Sequence, residues 1–485
     1  MTIKDLDPKI VWNNFYQLTR IPRPSKHEEK VVEFLYNWGK ERGIETIKDK
    51  VGNIIMRIPA TPGYENRRGV ILQGHMDMVP QKTADTDHDF LKDPIRTKII
   101  DGWVGAEGTT LGADNGIGVA LSMSVLEDKT LRHGPVEVLV TVDEETGMTG
   151  AENLEPGIFN GDIFLNLDSE EEGELCIGCA GGLDGTADFR IDKVEVPQGS
   201  VAYQIVIKGL HGGHSGMDIA LYRGNANKIL ARVLDPLTEK LGAKVVDLRG
   251  GSLRNAIPFE SEALVVLPQE KAAEAEAIVE KIFADVKFEY QYTDPDFEHH
   301  FDKVECTAKE CLDPAVMHNV IKAILGCPNG VYRMSDSFEG LPETSTNLAI
   351  IRCEEGHIYV KSLMRSSIDA AKAFLADQMR AVFELAGAEF TTAGGYNGWT
   401  PKPETPVYEV VRQVWKDLTG KEMKVGATHG GLECALLGAK YPNWEMVSVG
   451  PTIVHPHSPD ERVKIDTVAT AWEFLKKLLE AVPEK

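Results

Sequence analysis

The residues best suited to chemistry are acidic and histidine side chains that recur just beyond apolar runs. Gly69-Val-Ile-Leu-Gln-Gly-His-Met-Asp-Met-Val-Pro80 sets His75 and Asp77 one residue apart behind a run of β-branched and long apolar residues. In extended backbone, residues i and i+2 point the same way. Asp77 can then bind the second ring nitrogen of His75, fix its tautomer and raise its basicity as a metal ligand. A second apolar run, 136–142, ends in Asp143-Glu144-Glu145-Thr-Gly147, and a third, 163–167, ends in Asp168. Asp114 stands in Leu111-Gly-Ala-Asp-Asn-Gly-Ile-Gly118, ahead of the apolar stretch 119–126, and His457 lies in the loop that follows Val449. Taken singly, Asp114 reads as a helix N-cap. Taken together, two histidines and three carboxylates are too many charges to bury unpaired. They suit two zinc-like ions with one carboxylate bridging. Ions roughly 3.5–4 Å apart can share and acidify a water, and Glu144 is left over to act as its general base.

Three strands must deliver these groups at their carboxyl ends, the edge where open α/β sheets bind ligands. Apolar spacing predicts helices over 8–19 and 27–42, separated by Pro22-Arg-Pro24-Ser25 with Ser25 as the helix start signal. Short strands are expected at 45–48 and 53–58. The polar, Gly-rich stretch 81–108 is too long for a simple connection and reads as a functional loop. Glycines 112, 116 and 118 do not fit the dinucleotide fingerprint. Gly213-His-Ser-Gly-Met217 lacks the closing glycine of a nucleophile elbow. From about residue 182 the texture changes. Strands at 201–207, 244–248, 260–267 and 286–292, with helices near 219–235 and 269–284, give the order β-α-β-β-α-β of a ferredoxin-like unit. A second pass is expected over 302–393, with helices near 313–325 and 368–386. The helix at 406–419, the strand at 444–449 and the closing helix at 466–481 resume the first domain.

Composition narrows the class. The 485 residues can bury a sizeable core, and 42% hydrophobic with 26% charged residues is ordinary for a globular protein. A formal charge of −23 argues against nucleic acid and against anionic membranes as partners. The N-terminus shows no basic region followed by an apolar run, and the seven scattered cysteines suit reduced thiols, so a cytoplasmic protein is expected. Cys176-Ile-Gly-Cys179 has no second pair at finger-like distance.

The ordered set Gly74-His75-Met-Asp77, Leu111-Gly-Ala-Asp114-Asn-Gly116, Glu144-Glu145-Thr-Gly147, Leu167-Asp168-Ser169 and His457-Ser-Pro-Asp-Glu461 resembles the dinuclear-zinc peptidases and deacylases, which include carboxypeptidase G2, aminoacylase and carnosinase. The resemblance extends over essentially the whole chain, including Gly209-Leu-His-Gly-Gly-His214-Ser-Gly216 and Arg254-Asn-Ala-Ile-Pro258. It implies an α/β catalytic domain, residues 1–181 and 398–485, with a central mixed sheet between helices. It also implies an inserted α+β ferredoxin-like lid, residues 182–397. Carried over by position, Asp114 bridges two Zn²⁺ ions, which Co²⁺ or Mn²⁺ can replace. His75 and Asp168 hold one ion, and Glu145 and His457 the other. Asp77 orients His75, and Glu144 is the base. His214, Asn255 and Arg365 in the lid, and the main chain of Gly431, contact substrate. The implied activity is hydrolysis of unblocked dipeptides such as β-alanyl-histidine, with N-acyl-amino-acid deacylation on the same centre as the alternative and an inactive binding protein as a third reading. The implied assembly is a homodimer through the lid, with His214 acting in trans. Without the family, His211 reads as structural, His299 and His300 as solvated, and Arg365 as a surface ion pair.

Overall fold

A computed structural model describes residues 2–402 and 404–485. Contacts divide the chain into two units: one runs to Gly178 and takes up Pro401–Ala427 and Leu432–Lys485, the other comprises Cys179–Thr400 and Thr428–Gly431.

The first unit is built on an eight-stranded mixed sheet in the order Glu45–Lys48, Ile54–Ile58, Val136–Thr141, Val70–His75, Ile163–Asn166, Glu445–Ser448, Glu174–Cys179, Lys424–Thr428. Its four middle strands, from Val136–Thr141 to Glu445–Ser448, are parallel, so their carboxyl ends share one edge. Val70–His75, Val136–Thr141 and Ile163–Asn166 are buried at every position, the pattern of strands covered on both faces. The helix Ala113–Glu127, nearly all apolar or small, is buried along most of its length and is tied to Lys9–Thr19 by Asn14 Nδ2 donating to Ser124 Oγ at 3.1 Å. Ile465–Ala481 buries Val468, Trp472, Leu475 and Leu479 on one stripe. Its Phe474 meets Trp415 of Pro406–Thr419 edge-on at 5.4 Å.

Two sequence expectations change here. The stretch 81–108 is not all loop: Thr97–Ile100 and Trp103–Ala106 form a hairpin in a four-stranded sheet with Ile453–Val454 and Arg462–Lys464. Ser25 does not start a helix, which begins at Glu29; its hydroxyl donates instead to Asp77 Oδ2 at 2.8 Å.

The second unit carries a nine-stranded sheet made of two ferredoxin-like halves. The segment 200–304 runs β-α-β-β-α-β, with strands ordered Glu298–Val304, Ser200–Lys208, Ser261–Pro268, Lys244–Gly250. The other half repeats that order in mirror sequence along the sheet: Pro342–Glu354, His357–Ser366, Gly181–Arg190, Glu389–Ala393. The halves join where Gly250 pairs with Ile351. The second half therefore takes its first strand from 181–190, ahead of the half inserted into it, and not from beyond 302. The expected strand at 286–292 is also absent. Ala272–Glu289 stays helical because Val286 continues the buried face of Ala275, Val279 and Phe283, and the last strand of that half falls at Glu298–Val304.

Candidate metal centre

Asp114 is placed by a loop gripped from two sides. The Glu461 carboxylate accepts the backbone N–H groups of Leu111, Gly112, Ala113 and Asp114 at 2.7, 2.9, 2.7 and 3.2 Å. Buried Arg23 donates to the carbonyls of Gly112 (2.5 Å), Met76 (2.9 Å) and Asp77 (3.0 Å). Gly112 turns with φ 71°, a conformation that costs glycine nothing. Asp114 leaves the helical region (φ −76°, ψ 111°). Rather than capping the helix, its carboxylate turns to two histidines.

Those two contacts divide the surrounding donors. His75 Nε2 lies 3.1 Å from Asp114 Oδ1 and 3.4 Å from Asp168 Oδ1. His457 Nε2 lies 3.2 Å from Asp114 Oδ2 and 2.9 Å from Glu145 Oε2. His457 reaches in from a loop in which its own φ is 61°. Fully buried Asp77 stands behind both groups. Its Oδ1 is 3.3 Å from His75 Nδ1 and accepts the N–H of Glu144 at 3.0 Å, while Oδ2 accepts the N–H of Glu145 at 3.2 Å. One carboxylate thus orients the first histidine and the turn bearing both glutamates.

The set fits divalent cations. Imidazole nitrogens and carboxylate oxygens are the donors zinc-like ions take. Glu145 Oε1 and Asp168 Oδ1 are buried and find no hydrogen bond among the described residues, the state expected of oxygens reserved for an ion. The electrostatics agree. Burial opposes protonation of His457, yet its hydrogen bonds with Asp114 and Glu145 push it up to about 11. His75 is likewise held well above the usual histidine range, against burial, by Asp168, Asp114 and Asp77. Burial, reinforced by Asp114, pushes Glu145 up to about 7. Burial pushes Asp168 up to about 6, with His75 opposing. Glu144 is driven well above the carboxylate range by burial and by the Glu145 and Asp168 charges, with His75 pulling the other way.

The remaining expected contacts lie in the second unit. His214 and Ala256 form an isolated bridge, and Ser215 N–H donates to Asn255 O at 2.8 Å, which brings the two lid motifs together. Arg365 is buried, so it is no surface ion pair. It donates to Ser215 Oγ (3.3 Å) and stands 3.4 Å from His214 Nε2. Gly431 falls with the short segment Thr428–Gly431, where His429 Nε2 meets Ser345 Oγ at 2.7 Å. His211 is structural, its ring held by Thr293 O at 2.7 Å. His299 is not solvated: it stacks on Phe283 at 4.1 Å and is half-buried.

Arg23, Ser25 and Glu461 complete the positioning groups, and sequence reasoning assigned none of them this role. Glu461 closed a recognised motif, but no spacing rule links it to amides some 350 residues earlier.

A protein-family model described as peptidase family M20/M25/M40 matches residues 71–481. The chain is 42% identical over 483 residues to the cytosol non-specific dipeptidase of Escherichia coli K12, covering 100% of this chain and 99% of that one. It is similar to the crystal structure of an aminoacylhistidine dipeptidase from Vibrio alginolyticus, with 46% identity, a TM-score of 0.87 and coverage of 100% and 99%. The aminopeptidase PepT structure from Bacillus cereus, at 16% identity and TM-score 0.57 over 98% of this chain and 99% of that one, shares the fold.

Proposed function

Because this chain belongs to peptidase family M20/M25/M40, we propose that it is a metal-dependent dipeptidase acting on unblocked dipeptides, Xaa-His substrates such as β-alanyl-histidine among them. The observation that carries the reading is the division of donors by the two oxygens of Asp114: His75 and Asp168 on one side, Glu145 and His457 on the other. That division supports two ions per chain with Asp114 bridging, and the donor types favour zinc, with Co²⁺ or Mn²⁺ able to replace it.

Ions bound there would supply Lewis-acid polarisation of the scissile carbonyl and of the attacking water. The protein's own groups do the remaining work. Asp77 fixes the His75 ring and, through two backbone amides, the direction of the Glu144-Glu145 turn. Glu144 takes the proton of the attacking water and returns it to the leaving amine. His214 and Arg365, side by side, are donors for the oxygen on which charge develops, with Asn255 and the main chain of Gly431 holding the rest of the dipeptide.

On this reading the chain forms a catalytic domain, 1–181 with 398–485, and a lid, 182–397. It assembles as a homodimer through the lid and works in the cytoplasm, as the Escherichia coli relative's name says of that protein. N-acyl deacylation is not favoured, because both full-length relatives are dipeptidases. The resemblance puts His214 in trans. Within the lid His214 and Arg365 stand together, so they would reach the site they serve as a pair. The test of the activity is a dipeptide panel including β-alanyl-histidine, with N-acetyl amino acids alongside, assayed on zinc-loaded protein. Cleavage confined to the N-acetyl compounds overturns the reading.

A further inference from the structure

A chain of buried side chains crosses the ends of all four parallel strands, one layer beneath the proposed ligands. Asn166 Nδ2 donates to Gln73 Oε1 at 2.6 Å, and Gln73 Nε2 donates to Glu433 Oε2 at 2.5 Å. Thr141 Oγ donates to the same Glu433 oxygen at 2.6 Å. On the far side Ser448 Oγ donates to Asn166 Oδ1 at 2.5 Å. That uses the Ser448 proton, so the 2.8 Å contact between Ser169 and Ser448 is donated by Ser169. Gln73, Thr141, Asn166, Ser448 and Glu433 are each at most 1% exposed.

Every link points one way: Ser169 to Ser448 to Asn166 to Gln73 to Glu433, met by Thr141 from the other flank. A carboxylate oxygen accepting two donors forces this polarity. It fixes which way the Gln73 amide faces, and Gln73 then fixes Asn166. The residues tied together immediately precede the proposed site. Gln73 is two residues before His75, Asn166 two before Asp168, and Thr141 three before Glu144. The backbone ladder closes at this edge with Met76 N–H to Thr141 O (2.9 Å), Leu167 N–H to Gln73 O (2.8 Å) and Val449 N–H to Asn166 O (3.0 Å), and the side-chain belt ties the same strand ends together a second time.

We propose that Glu433 is a positioning residue: as the common acceptor of this buried belt it sets the spacing of the strand ends that deliver His75, Glu144 and Asp168. The proposal rests on the dipeptidase reading for its activity measurement and on the belt alone for the rest. Burial pushes the Glu433 carboxyl up to about 8, opposed by the Thr141 hydrogen bond. Its Oε2 accepts both donors in either protonation state, and Oε1 has no hydrogen bond among the described residues.

The discriminating experiment exchanges donor and acceptor. Gln73→Glu sets a second carboxyl against Glu433 and should lower kcat and retained zinc by about 10–100-fold, the usual cost of disturbing groups behind metal ligands, with KM little changed. Gln73→Glu with Glu433→Gln restores the link with donor and acceptor exchanged: the new amide nitrogen donates to the new carboxylate, which still accepts from Asn166, and its second proton goes to Thr141 Oγ, whose hydroxyl turns to Gly74 O. The pair should return kcat, zinc content by elemental analysis and the thermal midpoint to within about threefold or a few degrees of the parent. A double variant that is unfolded, or no better than Gln73→Glu, overturns the proposal. So does a Gln73→Glu protein with parental kcat and zinc. If the parent itself cleaves no dipeptide, the functional reading fails, while zinc content and thermal midpoints still decide the belt.

Discussion

At the scale of single residues, the division of labour between two adjacent glutamates is the sharpest claim. Glu145 Oε2 faces His457, whereas Glu144 is held near the donors through its backbone. Glu144→Gln keeps shape but cannot take a proton, so kcat should fall by about 10²-fold or more. Zinc content, measured on the same preparation, should stay at the parental value; loss of zinc would mean that the two roles are exchanged. Asp114→Ala removes the oxygen on each side, so it should cost more retained metal than His75→Ala or His457→Ala. The histidines add a pH signature. Both are held protonated by their carboxylate neighbours, and an ion needs the neutral ring. Loading zinc into the metal-free protein at pH 7 should therefore release protons, and apparent affinity should rise with pH. Titration in weakly buffered solution with a pH indicator reads this directly, and proton-neutral binding contradicts it. The convergence of His75, Asp114, Glu145, Asp168 and His457 was legible in the sequence because His, Asp and Glu beyond apolar runs have few other reasons to recur. Arg23, Glu461 and Glu433 were not, because each acts on backbone or side chains that only folding brings near.

At the scale of elements, the parallel strands announced themselves as apolar runs ending in polar chemistry, and that signal held for Val70–His75, Val136–Thr141 and Ile163–Asn166. It failed where local preference competed with packing. The aromatic and β-branched run near 286–292 reads as a strand, yet Val286 completes a helical face against the sheet. The hairpin at Thr97–Ile100 and Trp103–Ala106 was hidden in a polar stretch. The segment Thr428–Gly431 supplies an acid-sensitive element. Burial, aided by the Arg365 charge, drives His429 down to about 3, while the unfolded chain protonates it near the ordinary value of about 6.5. The folded pKa is depressed, so the unfolded state binds the extra proton between these values, and stability falls as pH drops below about 6.5. Denaturant unfolding from pH 6.5 to 5 should show a loss approaching about 1.4 kcal/mol per pH unit from this group. The loss should be absent in His429→Gln. Equal slopes in parent and variant would contradict it.

At the scale of the whole molecule, the question is whether a second chain is needed to complete the chemistry. A formal charge of −23 keeps copies apart at long range, so a dimer must rest on a specific surface. The segment Cys179–Thr400 already contains two ferredoxin-like halves sharing one sheet, with the His214 loop in the inserted half and Arg365 in the other. Their side chains lie 3.4 Å apart within the lid. If the pair acts as one unit on the developing oxyanion, His214 and Arg365 serve the same site, which the resemblance puts in the other chain of a dimer. His214→Ala should lower kcat by about 10²–10³-fold, the usual loss of one oxyanion donor, with zinc retained. Mixing His214→Ala protein with Glu144→Gln protein then separates the arrangements, once native mass spectrometry shows a dimer and exchange of subunits. In cis, every site in a mixed dimer carries one defect, and activity stays at the level the two variants show when kept apart. In trans, one site per mixed dimer joins a sound base to a sound histidine, and a statistical mixture recovers up to about a quarter of parental activity. The expected result is recovery. No recovery, once exchange of subunits is confirmed, would show that the histidine acts within its own chain or not at all.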